Sequence, residues 1–213
     1  WDNGYTLILA NTDEDLEREQ AIISALIGKR VDALIVVPAS SKPAFHLEEL
    51  VRHDIPLVLL DRSVNGLNVD TIMVDNEMGA YRAASHLIQY GHSRIGIVFD
   101  NDEITTSMER LNGYRRALQE NQIEIREEWI KSCQYTRQSA HEIVSRMLRE
   151  RERPTALFTT NNFMTMGAME AIQDTHLAIP TDIALVGFDD LDWNQVNSPK
   201  ITVVAQPVTE MGN

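Results

Sequence analysis

The sequence predicts an α/β protein built on doubly wound parallel sheets, and three observations carry that expectation. Short apolar runs alternate with helix-spaced apolar stripes along almost the whole chain, the pattern of repeated strand–helix–strand units. The runs are apolar at consecutive positions, as in strands buried on both faces. Four of them end abruptly in hydrogen-bonding side chains. Val58-Leu59-Leu60 runs into Asp61-Arg62, and Ile72-Met73-Val74 into Asp75-Asn76. Ala156-Leu157-Phe158 runs into Thr159-Thr160-Asn161-Asn162, and Ala184 to Phe188 into Asp189-Asp190. Polar groups at the carboxyl ends of parallel strands sit where open α/β sheets bind ligands. Four such tips point to one polar cleft.

In order, Tyr5 to Leu9 reads as a strand. Thr12 with Asp15 resembles a capping box ahead of a helix marked by Ile22, Ile23, Leu26 and Ile27. Ala33 to Val37 is the next strand, Ala44 to His53 a helix, Pro56 to Leu60 a strand and Thr71 to Val74 a short strand. Ala80, Ala83, Ala84, Leu87 and Ile88 form a helical stripe that stops at Gly91, a good C-terminal glycine. A second series follows. Ile95 to Phe99 is a strand, and Leu111, Tyr114 and Leu118 mark a helix face. Trp129 to Cys133 is a weaker strand, and Ile143, Met147 and Leu148 mark a helix. Ala156 to Thr159, Met164 to Ile172 and Ile183 to Phe188 read as strand, helix, strand, and Ile201 to Ala205 as a last strand. Trp1 to Gly4 looks like the tail of a helix, and Met211-Gly212-Asn213 stops after a strand without a closing helix. Both ends therefore read as truncated.

The 213 residues suit one or two domains of about 100–200 residues each. A single cysteine, Cys133, excludes an internal disulfide, fits a reducing compartment and reads as a small buried hydrophobe. No apolar run approaches the ~20 residues of a membrane helix. A net charge of −13 repels phosphate, so these residues alone make a poor nucleic-acid binder. The six histidines include no i,i+4 pair and no neighbouring cysteine set, so no metal site is expected. Phosphate-loop, dinucleotide and nucleophile-elbow motifs are absent, which speaks against an enzyme and against a nucleotide cofactor.

One set of motifs, in this order, resembles a known family. It comprises Lys29 to Ile35, Ile55 to Arg62, Val74-Asp75-Asn76 with Gly79-Ala80, and Gly91-His92-Ser93-Arg94-Ile95-Gly96. Arg110-Leu111-Asn112-Gly113-Tyr114, Pro154 to Phe158, Gly187-Phe188-Asp189-Asp190 and Ile201 to Pro207 complete it. The chain is similar to the effector-binding core of lactose-repressor/galactose-repressor transcription regulators. The resemblance implies two Rossmann-like subdomains of the type I periplasmic-binding-protein kind, holding a sugar-sized ligand between them. The implied subdomains are residues 1–91, lacking a first strand and helix, and residues 92–205, with 206–213 returning to the first. It also implies a cytoplasmic homodimer that reads operator DNA through an N-terminal helix-turn-helix outside this chain. An export-dependent periplasmic sugar-binding protein of a transporter is the alternative, and the Gly91 to Gly96 run favours the regulator.

Arg110 is the first candidate ligand residue. It flanks the apolar stripe of its helix, and a guanidinium offers a fixed fork of donors suited to vicinal hydroxyls. From the residues alone an exposed helix arginine is the plainer reading; the resemblance implies an effector ligand. Asp189 could accept two sugar hydroxyls or cap a turn, and the resemblance favours the ligand role. Asn161 can donate and accept, or cap the following helix. Asp61 and Arg62 could pair structurally or reach the ligand, and Asp75 could cap its helix or reach the cleft. Gln206 matches a family position near the ligand. Tyr135 and Trp193 could stack on a sugar's apolar face or serve in packing.

Overall fold

The computed structural model describes residues 4–101 and 103–212, which form two compact units, one up to Met73 and one from Val74. The first unit holds three parallel strands, β1 (Leu34–Val36), β2 (Leu57–Leu60) and β3 (Asp70–Ile72), in that order. Leu34 lies opposite Leu57 and Val58 opposite Asp70. Helix α1 (Leu16–Gly28) starts where Asp15 turns extended and its carboxylate accepts from the Arg18 N–H at 2.8 Å. Asp15 is thus the cap, and Thr12 contributes only a carbonyl to the preceding turn. Helix α2 (Phe45–Arg52) buries Leu47 and Leu50 completely. They pack with Ile23, Leu34, Val36, Leu57, Leu59 and Val64 as this unit's core. The buried Glu19 carboxylate accepts from the Ala39 N–H at 2.7 Å and meets His46 Nε2 at 2.6 Å, tying the β1–α2 loop to α1.

The second unit is a five-stranded parallel sheet in the order β5–β4–β6–β7–β8. The strands are β4 (Ile95–Phe99), β5 (Ile130–Ser132), β6 (Ala156–Thr159), β7 (Ala184–Phe188) and β8 (Thr202–Val204). Helices α3 (Asn76–Gln89) and α4 (Thr105–Glu120) pack together on one face. Helices α5 (Arg137–Arg149) and α6 (Asn162–Asp174) pack on the other. Strand side chains alternate between faces. Accordingly Ile97, Phe99, Phe158, Val186 and Phe188 join the α3–α4 core, while Val98, Leu157 and Leu185 join the α5–α6 core. That double burial explains the uninterrupted apolar runs. Each helix pair closes over a glycine. A Cβ on Gly113 would lie 2.1 Å from the Glu77 carbonyl oxygen, and one on Gly167 would lie 2.4 Å from that of Arg137. Short helices α7 (Asp192–Val196) and α8 (Val208–Met211) complete the chain.

Several expectations change. Residues 5–9 form no strand; Tyr5, Leu7 and Leu9 are exposed, and no ladder partner holds them in a sheet. A strand exists through its pairing, so an apolar run without a partner is only extended chain. The expected helical tail at Trp1–Gly4 lies, apart from Gly4, outside the described residues. The last residues do contain a helical turn, α8, where the sequence reading had none. The packing division at residue 73 falls before the expected boundary at 91. Gly113 brings α4 so close to α3 that α3 belongs to the second unit, as do residues 206–212. Gly91 behaves as read, with φ +87° just past α3.

Candidate functional site

Setting β4 as the first strand of its sheet, the order is 2-1-3-4-5. The reversal therefore falls between β4 and β6, and ligands of doubly wound sheets bind outside the strand ends at that point. The residues there are polar and buried. Asp100, one residue past β4, is 6% exposed. Its carboxylate accepts from Ser107 Oγ on α4 and from Asn161 Nδ2 at 3.5 Å. Its carbonyl accepts from Ser132 Oγ at 2.8 Å. Past β6, the Thr160 N–H donates to the Val98 carbonyl at 3.0 Å, knitting the two tips together. Asn161 Oδ1 accepts from the Met164 N–H at 3.0 Å and so caps α6. Its amide faces Asp100 at the same time, so capping and site roles share one side chain.

Arg110 enters this group from α4. Tyr114, one turn further along α4, anchors that helix to β4 by donating to the Ile95 carbonyl at 2.7 Å. Arg110 is 6% exposed, against the plain expectation for a helix arginine. Its Nε donates to Asn76 Oδ1 at 2.9 Å and its Nη1 to the Thr160 carbonyl at 2.6 Å. The guanidinium carbon lies 3.8 Å from the centre of the Phe188 ring, inside the range of a cation–π contact. Gly79 makes room beneath: a Cβ there would stand 3.1 Å from the same ring. Asn76 is fully buried at the start of α3, and its Nδ2 donates to Glu109 Oε2 at 3.0 Å. Burial raises the Glu109 carboxyl above its ordinary value, while the Asn76 hydrogen bond and the Arg110 charge oppose the rise.

At β7 the chain turns through Asp189, whose φ is +75°. Its N–H donates to the Val204 carbonyl at 2.9 Å, and its Oδ1 accepts from Gln206 Nε2 at 2.6 Å. The structure thus brings Arg110, Asn161, Asp189 and Gln206 to neighbouring strand tips of one sheet. Trp193 on α7 is half-buried against the α5–α6 core, with its Nε1 buried and without a hydrogen-bond partner. Tyr135 stands edge-on to Phe163 at 5.1 Å between centroids.

Asp75 and Arg62 have protein partners of their own, and Asp61 Oδ2 lies 3.7 Å from Arg62 Nε. Asp75 is exposed and caps α3, its Oδ1 accepting from the Met78 N–H at 2.8 Å. Asp61 and Arg62 follow β2 in the first unit. Arg62 is 6% exposed. Both of its terminal nitrogens donate to the Glu14 carboxylate, at 2.5 and 3.0 Å, and Nη1 also donates to the Pro38 carbonyl at 3.1 Å. Those bonds hold loops of the first unit together.

Sequence reading placed Asn76 and Thr160 among the polar strand tips without giving them a role, and missed Asp100, Ser107 and Phe188. Asp100 had a usable signal, since Ile95 to Phe99 is another apolar run ending in a carboxylate. The others became visible only through their partners. Cys133 is half-buried, and burial pushes its thiol up to about 11. Among the described residues no group of histidine, cysteine and carboxylate side chains could hold a metal ion. A surface hollow of about 440 Å³ lies along α5 and α6, lined by residues including Arg137, His141, Glu170 and Asp174. It contains no strand tip, and its pairs Arg137–Glu170 and His141–Asp174 satisfy one another at the surface.

A family model for periplasmic binding proteins and the sugar-binding domain of the LacI family matches residues 2–213. The HTH-type transcriptional repressor PurR of Aliivibrio salmonicida (strain LFI1238) is 34% identical over 209 residues, which span 98% of this chain and 63% of that repressor. The ribose operon repressor of Haemophilus influenzae is 33% identical, over 99% of this chain and 63% of its own length. This chain therefore spans just under two thirds of the curated relatives it matches. Among solved structures, a sugar-binding transcriptional regulator of the LacI family from Escherichia coli, complexed with phosphate, superposes with a TM-score of 0.81. It is 28% identical and covers 99% of this chain and 77% of its own. The chain belongs to the family of periplasmic binding proteins and LacI-type sugar-binding domains.

Proposed function

We propose that this chain is the effector-sensing and dimerisation core of a transcription regulator. It takes a small sugar-like ligand at the β4, β6, β7 and β8 tips and controls a DNA-binding segment elsewhere in the whole protein. The observation that carries this reading is Arg110, a buried guanidinium stacked on Phe188 and held at the strand-order reversal. Arg110, Asn161, Asp189 and Gln206 are the proposed ligand residues, and Tyr135 and Trp193 the proposed flanking aromatic surfaces. The repressor names of the relatives favour a regulator over a transporter component and over an enzyme. The proposed setting is the cytoplasm, as a homodimer. Ligand shifts the population of two conformations that differ in operator affinity, and the size of that shift is the ligand's differential affinity for the two.

The test uses the full-length gene product and this chain side by side in gel shifts at low salt. The full-length protein is expected to shift its operator and to run as a dimer in sedimentation. This chain, at −13, is expected to leave the operator unshifted. A full-length protein that binds no DNA and sediments as a monomer would contradict the reading.

A further inference from the structure

The other end of the five-stranded sheet, where β4 and β6 begin, carries a second charged feature. Residues 92–94 and 153–155 run side by side there. The Arg94 carbonyl accepts from the Thr155 and Ala156 N–H groups at 2.8 and 3.2 Å, and His92 Nδ1 meets Thr155 Oγ1 at 3.0 Å. Pro154 is buried against Gly96, where a Cβ would stand 3.4 Å from Pro154 Cγ. The turn before it is pinned as well. The Glu152 carbonyl accepts from Trp129 Nε1 at 3.3 Å, and the Glu152 carboxylate accepts from Arg126 Nη1 at 2.9 Å. The backbone of this edge is therefore held in place on both flanks.

Onto it the run Arg149-Glu150-Arg151-Glu152-Arg153, together with Arg94, brings four arginines. Among the described residues none of the four forms an ion pair, whereas seven other arginines do. Of the two carboxylates in the run, Glu152 is taken up by Arg126 and Glu150 is exposed. Arg149 closes α5, where a cation suits the helix end without any ligand. Arg153 lies outside any helix and is half-buried, and its Nη1 is buried without a hydrogen-bond partner. Arg62 and Arg110, by contrast, donate from Nη1 to protein oxygens. A buried charged donor left unmet is costly until an acceptor completes it. The net charge of −13 does not oppose an anion here, because charges beyond about 10 Å are largely screened at 0.1 M salt. A guanidinium fork matches phosphate oxygens, and a phosphate monoester offers three acceptor oxygens where a carboxylate offers two.

We propose that this edge of the sheet is a phosphate-binding site centred on Arg153, with Arg94 and Arg151 as its further cations, separate from the strand-tip site at the opposite end. The shared chemistry is a phosphate dianion, free or carried as a monoester. The experiment titrates this chain calorimetrically with inorganic phosphate, glycerol 1-phosphate and malonate, at one ionic strength made up with chloride. Wild type, Arg153→Gln and Arg94→Gln are compared, and Arg153→Met is melted alongside wild type without phosphate. Inorganic phosphate or the monoester is expected to bind wild type, and the tighter of the two identifies the source. Arg153→Gln should bind it at least about tenfold more weakly, and Arg94→Gln should also weaken it. Arg153→Met should melt at or above wild type, because it removes a buried donor that lacks an acceptor. A clear fall in its melting temperature would show that the guanidinium is held by the protein itself, and would overturn the site. Binding of neither phosphate compound, or binding undiminished in Arg153→Gln, also overturns it. Malonate bound as tightly as phosphate overturns the ligand class.

Discussion

The tips of β2 and β7 are built alike. Each ends in an aspartate with a left-handed backbone, Asp61 at φ +67° and Asp189 at φ +75°. Each donates its N–H to the next strand, Asp61 to Ile72 and Asp189 to Val204. Each has a buried arginine in its unit, Arg62 in the first and Arg110 in the second, equally hidden at 6% exposure. Their partners differ. Arg62 forks onto the Glu14 carboxylate and the Pro38 carbonyl, joining two loops of its unit. Arg110 donates to a side-chain amide and a backbone carbonyl and lies over an aromatic ring. A carboxylate partner makes the arginine a clamp. The Asn76 and Thr160 oxygens and the Phe188 ring aim the Arg110 guanidinium at the β4–β6 tips, where it is the proposed ligand residue. Equal burial therefore does not separate the two arginines; the partners that hold them do.

That comparison can be broken at several points. The largest effect is expected from Gly113→Ala, because the added carbon would meet the Glu77 carbonyl oxygen at 2.1 Å. Helices α3 and α4 would have to separate, carrying Asn76 away from Arg110. Overpacking of this kind costs about 3 kcal/mol, and urea melts should show it as a fall in midpoint. An unchanged midpoint would mean that the helix approach does not hold the site.

Glu14→Gln comes next. It removes the Glu14 carboxylate from the buried Arg62 guanidinium, leaving Asp61 Oδ2 at 3.7 Å from its Nε, and should cost about 2 kcal/mol. Hydrogen exchange should localise the loss to β1–β3 and spare β4–β8, because the bonds lost belong to the first unit. Equal loosening of both sheets would erase the contrast between the two arginines.

Local chemistry explains what the sequence disclosed. Apolar runs and the polar residues that follow them are contiguous, so the strands and the tips at Asp61, Asn161 and Asp189 could be read directly. The apolar stripe beside Arg110 marked its helix face, and the resemblance supplied its proposed role. Partners distant in sequence could not be read. Glu14 lies 48 residues from Arg62, Asn76 lies 34 from Arg110, and Asn161 lies 61 from Asp100. Tyr5 to Leu9 misled for the same reason: its composition is that of a strand, but pairing is a property of two segments. The α3–α4 contact also moved the packing boundary, through one glycine whose importance lies entirely in the helix opposite.

The most direct test of the central claim exchanges each arginine for lysine, which keeps the charge but loses the planar fork. Arg62→Lys and Arg110→Lys are compared for urea stability and for calorimetric affinity toward the free sugar that most stabilises wild type. Arg110→Lys should lose at least about tenfold in affinity with a stability close to wild type. Arg62→Lys should lose about 1.5–3 kcal/mol of stability with its affinity nearly intact. If Arg110→Lys binds as wild type does while Arg62→Lys fails to bind, the two roles are reversed and the site assigned to the β4–β6 tips is wrong.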